Sequence, residues 1–207
     1  MIRTLLVNCS FTGKVSEDLF TVISRFGECT VTNFRDISLD FQIVNNIDAV
    51  VLSGSAARIV QVSDRAKFEG VEVLIRNCDL PLLGICFGHQ LLCWAFGAEV
   101  SSLPEQVASR FEEVRIIHAD QVFSGFKEGQ TLSLAENHYD YVLKDSLDGA
   151  GFTLLADSVS CEVEAVKHKT KPFFGIQFHP ECIVIQSETH PEGHCIIENF
   201  YKNTVKQ

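Results

Sequence analysis

The sequence predicts a three-layer α/β fold on a mixed, mostly parallel sheet with a small peripheral β element. Three observations carry this. Through the first half, short apolar runs alternate with helical patterns, the mark of βαβ units. The second half is richer in strand-like segments. Between them, Pro81 to Gly97 (PLLGICFGHQLLCWAFG) runs an apolar strand through a glycine-flanked turn and directly into a helix.

Taken in order, Thr4–Val7 is the first strand. Ser16 then caps a helix with Glu17 and Asp18 in its first turn, Leu19, Phe20, Ile23 and Phe26 along one face, and Gly27 as its stop. Cys29–Thr32 is the next strand. Ala49–Leu52 is a continuous apolar strand ending in the turn Ser53-Gly54-Ser55, Ala66–Cys78 has helical spacing, and Leu82–Ile85 leads into the glycine-flanked turn. Beyond it, Glu113–Ile117, Thr131–Ala135, Phe152–Ala156, Cys161–Lys167 and Phe173–Phe178 are expected as strands, and Cys195–Val205 as the closing helix. The loops that follow parallel strands open at one edge of the sheet.

With 207 residues, 46% of them hydrophobic, the chain can bury one large core, and residues 1–207 are expected to form a single domain. A net charge of −10, with no cluster of Lys and Arg among aromatic residues, argues against nucleic acid and for a small-molecule or protein partner. The N-terminal apolar run is too short for a signal sequence or a membrane span, so a cytoplasmic protein without membrane contact is expected. Its eight cysteines are accordingly expected as reduced thiols, most of them behaving as small hydrophobes.

Cys86 is the exception. In Gly84-Ile85-Cys86-Phe87-Gly88 the sharp turn needs small flanking residues, and it sets the thiol at a helix N-terminus, where the dipole and free N–H groups favour thiolate. A thiolate nucleophile needs a base and a group to orient that base. His179 and Glu181 in Gln177-Phe178-His179-Pro180-Glu181 follow an apolar strand, so they fall at a strand end as Cys86 does. Pro180 stiffens the segment between them, leaving Glu181 able to accept the second imidazole N–H. The expected catalytic set is Cys86, His179 and Glu181.

These two segments resemble the class I (triad) glutamine amidotransferases, over nearly the whole chain. The stretch Cys161–Pro172 and Asn137-His138-Tyr139-Asp140-Tyr141-Val142 further resemble the free-standing glutaminase subunit of two-subunit GMP synthases. The resemblance implies a flavodoxin-like sheet and attack by Cys86 on the side-chain amide of glutamine. It implies an oxyanion hole from backbone N–H groups of Ser55 and Phe87, and substrate contacts at Gly54, Gln90, Asn137 and His138. It implies no cofactor in this chain, with ATP and Mg on a partner synthetase subunit that receives the ammonia. A stand-alone amidotransferase, a γ-glutamyl hydrolase and a silent binding or regulatory protein are the alternatives.

The chain departs from that family in two places. Gly54-Ser55-Ala56 stands where Gly-Gly-Pro is frequent: Ser keeps its N–H but is less free in φ than Gly. The first loop, Asn8 to Gly13, lacks the Asp-x-Gly-x-Gln-Tyr pattern of GMP synthases. His89 is expected to be structural. A second His-Pro-Glu, at 190–192, follows a polar stretch and is assigned to the loop before the last helix. Cys182, His190, His194 and Cys195 lack a CxxC pairing, and no metal is expected. Lys167, His168, Lys169 and Lys171 are expected in a solvated hairpin, or in a basic loop facing the synthetase.

Overall fold

The computed structural model describes residues 1–44 and 46–205. Nine strands form one sheet: β1 (Ile2–Asn8), β2 (Gly27–Asn33), β3 (Ala49–Leu52), β4 (Leu82–Ile85), β5 (Val100–Ile116), β6 (Thr131–Val142), β7 (Phe152–Ser158), β8 (Ala165–His168) and β9 (Phe173–Ile176). Their order is β2-β1-β3-β4-β9-β8-β7-β5-β6. From β2 to β9 every pairing is parallel; from β9 to β6 every pairing is antiparallel. β9 is therefore the seam. Short strands β10 (Val184–Ile185) and β11 (Glu188–Thr189) make a separate hairpin, the peripheral element.

Five α-helices accompany the sheet: α1 (Glu17–Ser24), α2 (Val62–Arg65), α3 (Glu69–Asn77), α4 (Phe87–Ala95) and α5 (Glu192–Phe200), the last continued by a π-helical turn over Tyr201–Val205. Successive side chains of a strand face opposite ways, and here each way has its own core. Leu5, Val7, Val50, Leu52, Leu82 and Phe173 pack with Val71, Ile75, Leu91 and Leu92 of α3 and α4. Their neighbours Leu6, Val51, Leu83, Ile85, Phe174 and Ile176 pack with Leu19, Ile23, Ile196 and Ile197 of α1 and α5. Helix, sheet, helix are the three layers. Strands sealed on both faces must be apolar at every position, as β3, β4 and β9 are.

Several elements differ from expectation. α1 is capped as the sequence predicts, the Ser16 hydroxyl accepting from Leu19 N–H, but it stops at Ser24, and Gly27 opens β2 instead of ending the helix. The helix expected over 66–78 begins as a 3-10 turn over Ala66–Phe68. β5 and β6 run 17 and 12 residues, far beyond Glu113–Ile117 and Thr131–Ala135. Register slips near Ser102–Arg110 accompany Pro104, which has no N–H for the ladder. Cys161–Glu164 lies outside β8, which starts only at Ala165. The basic segment does join the antiparallel pair β8 and β9, yet it is not simply solvated. Lys167, Lys169 and Lys171 pair with Asp120, Asp148 and Asp79, and the buried His168 ring packs against Phe96 and Phe152. Among the described residues, no helix is long and apolar enough to cross a membrane.

Candidate active site

Cys86 sits between β4 and α4 with φ 51° and ψ −107°, a conformation costly for any residue with a side chain. The packing around it imposes the shape. A Cβ on Gly84 would lie 2.5 Å from the Gly88 carbonyl oxygen, and one on Gly88 would lie 2.5 Å from that of Leu52, so neither position admits a larger residue without movement. The Cys86 N–H is fixed by the Ile176 carbonyl of β9 at 2.8 Å. Phe87 starts α4, so its N–H is one of the helix's first four, which have no intrahelical acceptor.

His179 and Glu181 follow β9, the neighbour of β4. The His179 N–H donates to the Ala135 carbonyl of β6 at 2.8 Å, and its Nδ1 lies 2.9 Å from Glu181 Oε1. Gly54, in the turn after β3, is packed against both partners. A Cβ there would stand 3.0 Å from His179 Cε1 and 3.6 Å from Cys86 Cβ. The imidazole keeps 21% of its surface exposed. Its burial disfavours the charged form, but Glu181 and Cys86 outweigh that and raise the His179 pKa well above the usual imidazole value. The three strand-end side chains named from the sequence thus meet.

Cys86 and His179 open on a cavity of about 330 Å³, also lined by Ser55, Arg58, Gln90 and Asn137. That volume suits a ligand the size of an amino acid. Gly54 and Ser55 both keep ordinary φ, so the Ser at 55 carries no backbone strain; its hydroxyl accepts from Ala57 N–H at 3.1 Å. The first loop braces the same turn. Cys9 N–H donates to Ser53 Oγ at 2.9 Å, and that hydroxyl donates to the Gly54 carbonyl at 3.0 Å.

The other sequence candidates are placed less simply. The Gln90 amide donates to the Asp140 carbonyl at 2.7 Å and to Gln177 Oε1 at 3.0 Å, so those donors serve the protein itself. Asn137 presents its carbonyl 3.8 Å from Cys86 Sγ. The His138 imidazole turns inward, with its side chain 1% exposed, so only its backbone is available to a ligand. His89 is buried in the core, its pKa pushed down to about 3 by desolvation and by His138. His190 packs on Phe111, and His194 lies against Arg25.

Three residues of the site carry no clear mark in the sequence. Gln177 donates toward Cys86 Sγ at 3.7 Å; its place just before Phe178-His179 is its only signal. Arg58 and Asp140 pair across the cavity wall at 2.6 Å, with Ser102 donating to the same carboxylate oxygen at 3.0 Å. Nothing in their sequence positions links them. Deeper still, β6 and the segment before β8 bury two carboxyls, Glu136 and Glu164, side by side. Burial pushes both up, Glu164 to about 7, and for Glu136 the neighbouring Glu164 adds to the effect.

An α/β sheet that presents a strained cysteine at a helix N-terminus, beside a histidine held by a glutamate, is the layout of a thiol-dependent acyl-transfer enzyme. Residues 11–203 match the sequence model of the class-I glutamine amidotransferases, and the chain belongs to that family of enzymes. Among its relatives is the glutamine-hydrolysing subunit of a GMP synthase from Methanothermobacter thermautotrophicus, 41% identical over 127 residues. That match spans 61% of this chain and 62% of the relative. Over a longer stretch, the subunit of the same name from Methanosarcina acetivorans is 30% identical across 87% of this chain and 94% of its own length. A crystal structure of the corresponding GMP synthase chain from Thermoplasma acidophilum superposes with a TM-score of 0.80 at 28% identity, covering 97% of this chain and 92% of that one.

Proposed function

We propose that this chain is a glutaminase that releases ammonia from L-glutamine through Cys86, His179 and Glu181 and passes it to an ATP-dependent synthetase subunit for the conversion of XMP to GMP. The observation that carries the chemistry is the convergence of the strained Cys86 with the Glu181-held His179 on one cavity. The names of the relatives carry the acceptor.

The raised pKa of His179 favours an imidazolium beside a thiolate. Cys86 Sγ attacks the side-chain amide carbon of glutamine, and the oxygen takes up negative charge facing the N–H groups of Ser55 and Phe87. Collapse of this intermediate breaks the C–N bond, and His179 gives its proton to the departing nitrogen. The neutral imidazole then takes a proton from water, which attacks the γ-glutamyl thioester and frees glutamate and the thiol. Glu181 keeps the ring in place and stabilises its charged form throughout. Gly54 and the Asn137 carbonyl border the substrate's path to the thiol. ATP and Mg would belong to the synthetase subunit, and ammonia lost to solvent would be wasted, which makes a docked partner part of the proposal.

The test is glutamate release from glutamine by the wild type and by Cys86→Ala, each alone and with a GMP synthase ATP-binding subunit, ATP, Mg and XMP. Partner-stimulated release that falls in the mutant by roughly 10⁶-fold supports the whole reading. Release indifferent to that partner keeps the triad and moves the acceptor elsewhere. No release under either condition overturns the glutaminase.

A further inference from the structure

Beneath the triad lies a cluster of metal-ligating side chains that the glutaminase chemistry does not use. One ligand atom from each of His138, Cys161 and Glu164 lies within 4.8 Å of the others. Glu136 approaches from the same strand as His138, its Oε2 3.5 Å from His138 Nε2. All four residues are buried, none more than 4% exposed.

What distinguishes the cluster is that its free atoms are all acceptors. His138 Nδ1 is 3.1 Å from the Asp140 carbonyl, which can only accept, so Nδ1 carries the ring proton and Nε2 presents a lone pair. Ser158 donates its hydroxyl to Glu164 Oε1 at 2.7 Å, and Glu164 Oε2 is left over. Nε2 of His138, both carboxylate oxygens of Glu136 and Oε2 of Glu164 are buried without a hydrogen-bond partner. A proton shared by the two carboxyls would satisfy part of this set. It would still leave Nε2 without a donor, because Glu136 is too far for a hydrogen bond.

We propose that His138 Nε2, Cys161 Sγ, Glu164 Oε2 and a Glu136 carboxylate oxygen form a binding site for a divalent zinc-type cation. One nitrogen, one sulfur and two oxygens from side chains make a four-ligand set of the kind zinc takes in closed, structural sites. The surrounding hydrogen bonds are the outer contacts such a site needs. A backbone carbonyl fixes the tautomer of the histidine and a hydroxyl orients the carboxylate. On binding, Cys161 coordinates as thiolate, and its proton passes to the buffer. The ion would join β6 to the segment before β8. Between its two ligands on β6 lies Asn137, whose carbonyl faces Cys86, and just before them lies Ala135, whose carbonyl holds the His179 N–H. Its role is to stiffen that wall of the cavity, with no part in the reacting atoms.

The experiment titrates chelator-treated protein with Zn²⁺ and Co²⁺. It uses the wild type, Cys86→Ala, Cys161→Ala and Glu136→Gln, with circular dichroism confirming that each variant is folded. Wild type and Cys86→Ala should each bind one ion, show the sulfur-to-cobalt charge-transfer band and melt at a higher temperature with Zn²⁺. Cys161→Ala should lose the band and bind roughly 100-fold more weakly, and Glu136→Gln about 10-fold more weakly with the band retained. A band that survives in Cys161→Ala, an ion lost only in Cys86→Ala, or no stoichiometric binding by the wild type would each overturn the proposal. These readouts involve no glutamine, so they stand or fall apart from the glutaminase reading.

Discussion

The parallel half of the sheet, from β2 to β9, and the antiparallel half, from β8 to β6, contribute to the site in different ways. From the parallel half come strand ends: the turn at Gly54, the elbow at Cys86, and His179 with Glu181 beyond β9. The antiparallel half contributes the flank of a long ribbon, where the Ala135 and Asn137 carbonyls and the Asp140 carboxylate line or brace the cavity wall. Reacting groups therefore come from positions that the βα crossover geometry fixes, while the wall comes from a strand whose register is set by its neighbour. Substitutions in the first half should strike rate; those in the second should strike stability and binding.

The largest effect expected within this contrast is at Glu181. Replacing it by Gln keeps the shape but removes the charge that holds His179 up, and a change of this kind costs on the order of 10⁴-fold in kcat. The pH profile should move as well. With Glu181 present, the imidazolium persists to a pH well above the usual imidazole range, so kcat/KM declines only on the alkaline side. Without it that alkaline limb should shift to lower pH. A limb that stays in place would separate His179 from the proton transfer.

Next comes Gly54→Ala. The new methyl would stand 3.0 Å from His179 Cε1 and 3.6 Å from Cys86 Cβ, pushing the pair apart without touching the sheet core. Displacement of this size costs about 10²-fold in rate. The urea midpoint should hardly change. Gly88→Ala is the paired control, because its methyl would meet the Leu52 backbone at 2.5 Å, so it should destabilise by about 3 kcal/mol as overpacking does. Equal stability losses in the two variants would break the distinction.

On the antiparallel side, Arg58→Ala leaves Asp140 buried with one fewer positive partner, and the guanidinium's stacking on Tyr139 at 4.0 Å is lost too. Breaking such a half-buried pair should cost about 2 kcal/mol in urea unfolding. It should raise KM for glutamine while kcat stays within a few-fold. A collapse of kcat at constant KM would put Arg58 among the reacting groups instead.

The two halves also differ in how far the sequence revealed them. β3, β4 and β9 are short, apolar at every position and bounded by turn residues, so their places could be found from composition alone, and Cys86, His179 and Glu181 follow from where those strands end. β5 could not be found this way. Residues 100–112 are largely exposed and polar, contain Pro104, and pair with β6 through slipped registers, so no sustained alternation marks them. The segment at Cys161–Glu164 failed for the opposite reason: it is as buried as a strand, but its buried residues are carboxyl and thiol groups held by local contacts to Ser158. Asp140 and Arg58 lie 82 residues apart, and only the folded sheet brings them together.

The smallest effect should come from Ser55→Gly, which restores the residue frequent at this position among relatives by resemblance. If the serine strained the oxyanion turn, glycine would relieve it and raise the rate. The backbone says otherwise, because Ser55 already has an ordinary φ, its hydroxyl ties down Ala57 N–H, and Ser53 is held by Cys9 N–H. Glycine would keep the N–H and remove that tie, adding freedom to the unfolded chain worth about 0.5–1 kcal/mol. The expected result is therefore slightly lower stability and a rate equal to or a few-fold below the wild type, measured as kcat for glutamate release. A clear gain in kcat would show that the parallel half carries strain at this turn as well as at Cys86.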